Sequence, residues 1–298
     1  MAAGAPQVTS RPLASARSAS PRFASPRLTS PARGLLDVYL QEAKVAIAQQ
    51  IQYRAANYMY MLGMVAEPVI YLVVWQTVAA QQGGSVGGFT AGTFAAYYIV
   101  WTLVRNINIV FTPYGWEERI REGRLSAQLL HPLFPIVEDL GFFLGWKPVV
   151  VLLWLPIALF LSLVFHPVLN PSLLQVAVFA VSLLGAYLIR SLNQSSLGLI
   201  TFWTTRVGPV FQLYIAAELL LSGRLVPMAL MPPWVQTVAN FLPFQWTFGF
   251  PIDALVTDMS TEQLLVGLAA QLFWIVVGAV LVRVVWHFAI RRYAAVAG

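Results

Sequence analysis

Six stretches of the chain are almost uninterrupted in apolar residues: Tyr58 to Ala80, Phe94 to Phe111, Phe142 to Phe165, Leu173 to Trp203, Val207 to Ser222 and Leu264 to Phe288. A bilayer core about 30 Å thick is crossed by roughly 20 apolar residues in helix, and each stretch reaches or approaches that length. Lipid offers no partner to a backbone N–H or C=O, so a crossing segment must close its hydrogen bonds internally. The pattern therefore predicts an all-α integral membrane protein with six transmembrane helices, contained in residues 58–293.

Upstream of the first span the period changes. Leu36, Leu40, Ala43, Ile47, Ile51 and Ala55 recur every three or four residues, while Asp37, Gln41, Gln49 and Gln52 occupy other faces. That spacing predicts an amphipathic helix over 35–57, either lying along the membrane surface or running straight into the first span. Residues 1–34 differ again: Ser, Ala, Pro and Arg dominate, no acid precedes Asp37, and Ser-Pro-Arg occurs at Ser20 to Arg22 and Ser25 to Arg27. This composition predicts a disordered basic tail. A basic arm on anionic membrane lipid, an organelle-targeting segment and a dispensable tail all fit it.

With 58% hydrophobic and 10% charged residues in a chain of 298, little material is left for a soluble domain. The pI of 9.8 does not point to nucleic acid, because Lys and Arg in a membrane protein first set orientation. Arg11, Arg17, Arg22, Arg27, Arg33, Lys44 and Arg54 precede the first span. Arg119, Arg121 and Arg124 lie in the second connection, Arg206 in the fourth, and Arg291 and Arg292 at the C-terminus. Connections one, three and five hold Arg224 alone. The bias predicts a multi-pass protein of the cell (inner) membrane with both termini cytoplasmic. Arg105, Lys147, Arg190 and Arg283 lie within or at the ends of spans. Arg190 and Arg283 fall roughly 27 Å from the outer ends of their helices, where long side chains snorkel to the headgroups.

Other polar groups fall deeper. Glu67 lies roughly 14 Å from the inner end of the first span and Arg105 roughly 12 Å from the inner end of the second, a matched depth that allows an ion pair. Asn106 and Asn108 flank Arg105, and Glu218 lies near the outer end of the fifth span. Intramembrane polar groups line a path or tie helices together; the residues alone leave both uses open.

Two connections are distinctive. In the second, Gly115-Trp116-Glu117-Glu118-Arg119-Ile120-Arg121-Glu122-Gly123-Arg124 reads as a short charged helix that Gly123 ends in a left-handed conformation. Ser126 is placed to cap a further turn, and Leu129, Leu130 and Pro132 lead back to the membrane. In the fifth, residues 223–262 set Pro227, Pro232, Pro233, Pro243 and Pro251 among Trp234, Phe241, Phe244, Trp246, Phe248 and Phe250. Prolines forbid one long helix and aromatics favour the headgroup zone, so short re-entrant or surface helices are expected there.

Residues Ile120 to Gly123, Leu125-Ser126, Leu129-Leu130 and Pro132 resemble the coupling-loop pattern of type-2 permeases of ATP-binding-cassette (ABC) exporters, with His131 where Arg is more usual. Leu221-Ser222-Gly223, Pro227, Met231-Pro232, Trp234 and Leu242-Pro243-Phe244 are similar to the same family, and the resemblance extends over 36–293. It implies an amphipathic interface helix, a coupling helix between spans two and three, and an outer gate containing Gly223, Pro227, Trp234, Pro243 and Phe244. It also implies that Glu117, Glu118, Arg119, Arg121, Glu122, Gly123, Leu129 and Leu130 meet a cytoplasmic ABC ATPase present in two copies. A second permease, identical or homologous, would complete the pore.

Chemistry beyond transport has no support in the sequence. There is no G-x-x-x-x-G-K-[ST] loop to hold ATP phosphates, and no cysteine for a disulfide or thiolate metal site. His131, His166 and His287 have no partners at ligand spacing. No cofactor is expected. A secondary transporter would bring two related halves with broken helices, and a membrane-embedded lipid-modifying enzyme a cluster of His, Asp or Glu at one face; neither pattern is present.

Overall fold

The computed structural model of the protein describes residues 52–293 apart from 132 and 205, together with short helical pieces between 40 and 49. The tail expected over 1–34 and most of the amphipathic segment over 35–57 lie outside the described residues. The chain is mostly helical: α1 Arg54–Gln81, α2 Ala91–Ile107, α3 Pro113–Arg121, α4 Leu125–Gln128, α5 Pro135–Gly145, α6 Lys147–Phe165, α7 Leu173–Leu199, α8 Gly208–Leu221, α9 Pro233–Asn240, α10 Gly249–Val256 and α11 Thr261–Ala289. A two-stranded ribbon, β1 Ser85–Val86 and β2 Phe89–Thr90, joins α1 to α2. The ribbon was not expected. It turns on Gly87 and Gly88, whose φ of +55° and +87° suit a tight two-residue hairpin loop.

Among the described residues, four helical stretches are long and apolar enough to cross a membrane: Tyr58–Gln81, Pro135–Phe165, Leu173–Phe202 and Thr261–Arg292. The expected second and fifth spans are shorter, with 17 residues in α2 and 14 in α8. The second span was expected to run to Phe111, but the helix stops at Ile107 and the chain unwinds over 108–112. The third span begins earlier than expected, as α5, and passes into α6 through Trp146.

Helix packing sorts the connections to two ends. At one end Val168 N donates to Gly92 O at 3.0 Å and Gln175 Nε2 to Thr257 O at 2.8 Å, joining the connections before α2, before α7 and after α10. At the other, Val207 N donates to Glu117 Oε2 at 2.9 Å and Ser126 Oγ lies 2.7 Å from the Tyr293 hydroxyl. That end therefore holds α3, α4, the α7–α8 connection and the C-terminal side of α11.

At the centre stands α2, with Phe94, Tyr97, Trp101 and Val104 at 0% exposure. A helix apolar on every face is stable only inside, and α1, α6, α7 and α10 surround this one. The long pair α7 and α11 start from matching capping boxes, Ser172 with Gln175 and Ser260 with Gln263, which satisfy the first free N–H groups of each helix. Small residues let the two approach closely: Gly185 lies against the Gln271 amide and Gly278 against Leu192.

Gly198, near the end of α7, is the seat of Trp116 on α3. A Cβ there would come within 2.6 Å of indole Cδ1 and Cγ, and Trp116 is 0% exposed, held by Leu125, Ile136, Leu199 and Val282. Gly198→Val is expected to lower stability by about 1–3 kcal/mol through overpacking, read as a lower thermal midpoint in detergent. Gly63→Ala, where nothing lies within 4 Å, is expected to leave the midpoint unchanged.

Candidate functional site

Two groupings of polar residues stand out from the apolar bundle. The first is an ion network inside it. Arg105 on α2 pairs with Glu67 on α1, as their matched depth suggested. The pair is not isolated. Arg224, just past the end of α8, lies 3.7 Å from Glu67 and 3.3 Å from Glu218. Arg190 of α7 grips Glu218 with two hydrogen bonds of 2.9 Å, so one chain of charges joins α1, α2, α7 and α8.

Arg190 therefore does not snorkel to the headgroups as its sequence position suggested. Its side chain is buried, and its Nη1 also donates to Asn108 O at 2.6 Å. Lys147 reaches the carbonyl of Ile109 in the same way. These carbonyls lie where α2 has unwound, and backbone freed from a helix at this depth needs a partner. Arg190 and Lys147 supply it, and their positive charges also suit a helix C-terminus. Arg224, expected with the outer loop, folds inward because Gly223 adopts a φ of +82°, a turn open to glycine and strained for other residues.

Around the network sits an aromatic frame. Trp101 carries the guanidiniums of Arg105 and Arg224 at 5.1 and 5.8 Å from its ring centre, and Phe248 carries those of Arg190 and Arg224 at 5.5 and 5.3 Å. The Tyr97 hydroxyl donates to Gly223 O at 2.8 Å and that of Tyr98 to Leu225 O at 3.0 Å, fixing the turn that carries Arg224. Asn108 joins through Thr247 O at 2.6 Å. Asn106 does not, since its amide bonds back to Thr102 O within α2. Sequence reasoning missed Tyr97, Tyr98, Trp101 and Arg224 as parts of this site. Tyr97, Tyr98, Trp101 and Arg105 do recur at helical spacing, which was the available signal.

Of the residues expected in an outer gate, Gly223 forms this turn and Pro227 leads a 3-10 turn over Met228–Leu230. Phe244 packs edge-on to Tyr214 at 5.3 Å. Trp234 stands apart, 70% exposed at the start of α9, and Pro243 lies in the link from α9 to α10. The short helices expected in this stretch are present as α9, α10 and two 3-10 turns.

The second grouping is the charged turn of α3 and α4. Thr112 caps α3 and Gly123, at φ +71°, ends it as expected. The residues expected to meet a partner divide between two faces. Arg119 points inward, makes two hydrogen bonds of 3.0 and 2.9 Å with Asp139 on α5, and lies over the rings of Phe111 and Trp116. Glu117 receives the Val207 N–H. Glu118, Arg121 and Glu122 face outward, and Arg124 bridges Glu118 and Glu122. Hydrogen bonding to Glu122 raises the Arg124 guanidinium above its usual pKa. Leu129 is partly exposed and Leu130 is 87% exposed, so the buried leucine of this turn is Leu125. Ser126 does not cap α4, which starts one residue before it; its hydroxyl meets Tyr293 instead.

Long apolar helices that enclose paired charges define a multi-pass membrane protein. Residues 65–297 match the model of a family described as ABC-2 family transporter protein, and the chain belongs to that family. It is a permease, the membrane component of an ABC transporter, from a family that associates with an ABC ATPase and is generally not itself catalytic. No curated protein sequence matches the chain.

The ion network generates a double-mutant test. Glu67→Gln leaves Arg105 without its anion and is expected to destabilise the protein, while adding Arg105→Gln recovers part of the loss, because one unpaired charge is worse than none. The coupling energy should be on the order of 1–3 kcal/mol, measured from unfolding of the four proteins in detergent. Simple additivity would show that the pair contributes nothing to the fold.

Proposed function

We propose that this permease works as half of an ABC exporter. Six helices cross the membrane, α2 and α8 included, with both termini in the cytoplasm. A second permease, identical or homologous, completes the path, and two copies of a separate ATPase supply the energy. The α3–α4 turn is the coupling element, the ion network lies on or beside the substrate path, and residues 223–256 cap the outer end. In the domain division this reading uses, 1–34 is a basic tail, 35–57 an interface helix and 58–293 the permease domain.

One observation carries the reading. At the end of the bundle that holds the α7–α8 connection and the C-terminal side of α11, the α3–α4 turn exposes Glu118, Arg121 and Glu122, with Leu130 open just beyond α4, while the inner face of α3 is locked by Trp116 and Arg119. A surface element that is polar outside and rigidly seated inside suits transmission of a partner's motion. The basic excess on the same end supports its cytoplasmic placement.

Charge reversal of Glu118, Arg121 and Glu122 together is expected to abolish transport in reconstituted vesicles while ATP hydrolysis and membrane levels persist. Full transport by this variant would remove α3 from the coupling role. Arg119 is left intact so that the buried pair with Asp139 is not broken.

Orientation has its own test, made clean by the absence of cysteine. Single cysteines at Ser85, Asn170 and Asp258 are expected to react with an impermeant thiol reagent in intact cells, and those at Arg124 and Gly298 to be protected. Labelling at position 124 from outside would turn the α3–α4 turn away from any cytoplasmic ATPase.

A further inference from the structure

The charges joined by Arg224 do not balance. Among the described residues, Arg105, Arg190 and Arg224 face only the carboxylates of Glu67 and Glu218, and Arg105, Arg190, Glu67 and Glu218 are the charged groups that act on Arg224. One positive charge is left over. Lys147, buried and close enough to Arg190 to feel it, adds no anion. A surplus charge inside a membrane protein is costly and marks a functional site.

The two carboxylates are not equivalent. Glu218 is 0% exposed, clamped by Arg190 through two hydrogen bonds and touched by Arg224, which makes it a fixed counter-ion. Glu67 is 31% exposed and is held by Arg105, by Arg224 at 3.7 Å and by the Tyr71 hydroxyl at 3.2 Å. Beside it, two buried N–H groups have no acceptor: Arg224 Nε and Trp101 Nε1. Trp101 is itself 0% exposed and carries both Arg105 and Arg224 against its ring. Surplus positive charge, unfilled donors and one accessible carboxylate together describe an anion seat that Glu67 occupies.

We propose that the molecule exported by this permease carries an anionic group, a carboxylate, phosphate or sulfonate, that displaces Glu67 from Arg105 and Arg224. Guanidinium forks bind such oxyanions through paired, charge-assisted hydrogen bonds. The incoming anion also cancels the surplus charge, which a cationic or neutral molecule leaves in place. The displaced Glu67 already has an accessible side to turn toward. This inference rests on the transport reading, but it is tested by binding alone. A failed pairing with an ATPase would sink the transport reading without altering the titration below.

The test uses the full chain in dodecyl maltoside, titrated with dodecyl phosphate, inorganic phosphate and dodecyltrimethylammonium, with the thermal midpoint as readout. Dodecyl phosphate should raise the midpoint and the ammonium should not. Glu67→Gln removes the internal competitor and is expected to bind dodecyl phosphate at least about tenfold more tightly, whereas a purely structural Glu67 predicts a less stable protein with no gain in affinity. In the Glu67→Gln/Arg105→Gln protein the gain should vanish, and this double variant avoids a Glu67 left to Arg224 and Tyr71, which would compete more strongly for Arg224 in Arg105→Gln alone. Competition by inorganic phosphate would identify the anionic head alone as the ligand; its absence would identify an anionic amphiphile. Unchanged affinity in Glu67→Gln, or an equal response to the ammonium, overturns the proposal.

Discussion

The buried guanidiniums of the bundle reach for carboxylates and freed carbonyls, and much of its architecture follows from those contacts. Arg190 is the clearest case: one guanidinium neutralises Glu218 on α8 and satisfies a carbonyl where α2 has come unwound. Remove it, and the Asn108 carbonyl loses its donor while Glu218 is left to Arg224 alone, in a medium that offers neither water nor another counter-ion. Arg224 plays the corresponding part between α1 and α8. Two helix pairs far apart in sequence, α1 with α2 and α7 with α8, are thereby tied to one another by directional contacts that apolar faces alone do not supply.

This explains why α2 and α8 depart from the length rule. A helix in direct contact with lipid needs enough apolar length to shield its whole backbone. Surrounded on its flanks, α2 can stop at Ile107 because protein groups take over the role of the missing turn. The end of α8 is likewise absorbed, by Gly223, by the tyrosines of α2 and by the backbone bond from Gly249 N to Ser222 O at 2.8 Å. Short helices at depth and buried cations are two aspects of one solution.

The long apolar runs were legible in the sequence because crossing a bilayer imposes a length and a composition that no other context imposes. The Glu67–Arg105 pair was legible too, since depth along neighbouring antiparallel helices can be counted from residue numbers. Arg190 and Arg224 were not. Counting assigned each to a membrane surface, on the premise that α8 continues straight and that a cation near a helix end reaches for water. A single glycine turn after α8 and a free carbonyl at Asn108 reversed both placements. The inward pairing of Arg119 was not legible either: its acid, Asp139, lies 20 residues further along the chain, and nothing local says that α5 folds back over α3. Leu130 is the opposite error, an apolar residue assumed to return to the bundle that stands in the open instead.

The seat of Trp116 on Gly198 has a mechanical meaning. With the indole wedged against bare backbone and Arg119 tied to Asp139, α3 has no compliant layer beneath it. Under the proposed coupling role, a displacement applied to its surface would be passed to α7. Arg190 lies eight residues back along that same rod, roughly 12 Å away, so a tilt of α7 driven in that way would also move the Arg190 guanidinium. In engineering terms α7 would then be a crank, with its handle at Gly198 and its pin at Arg190.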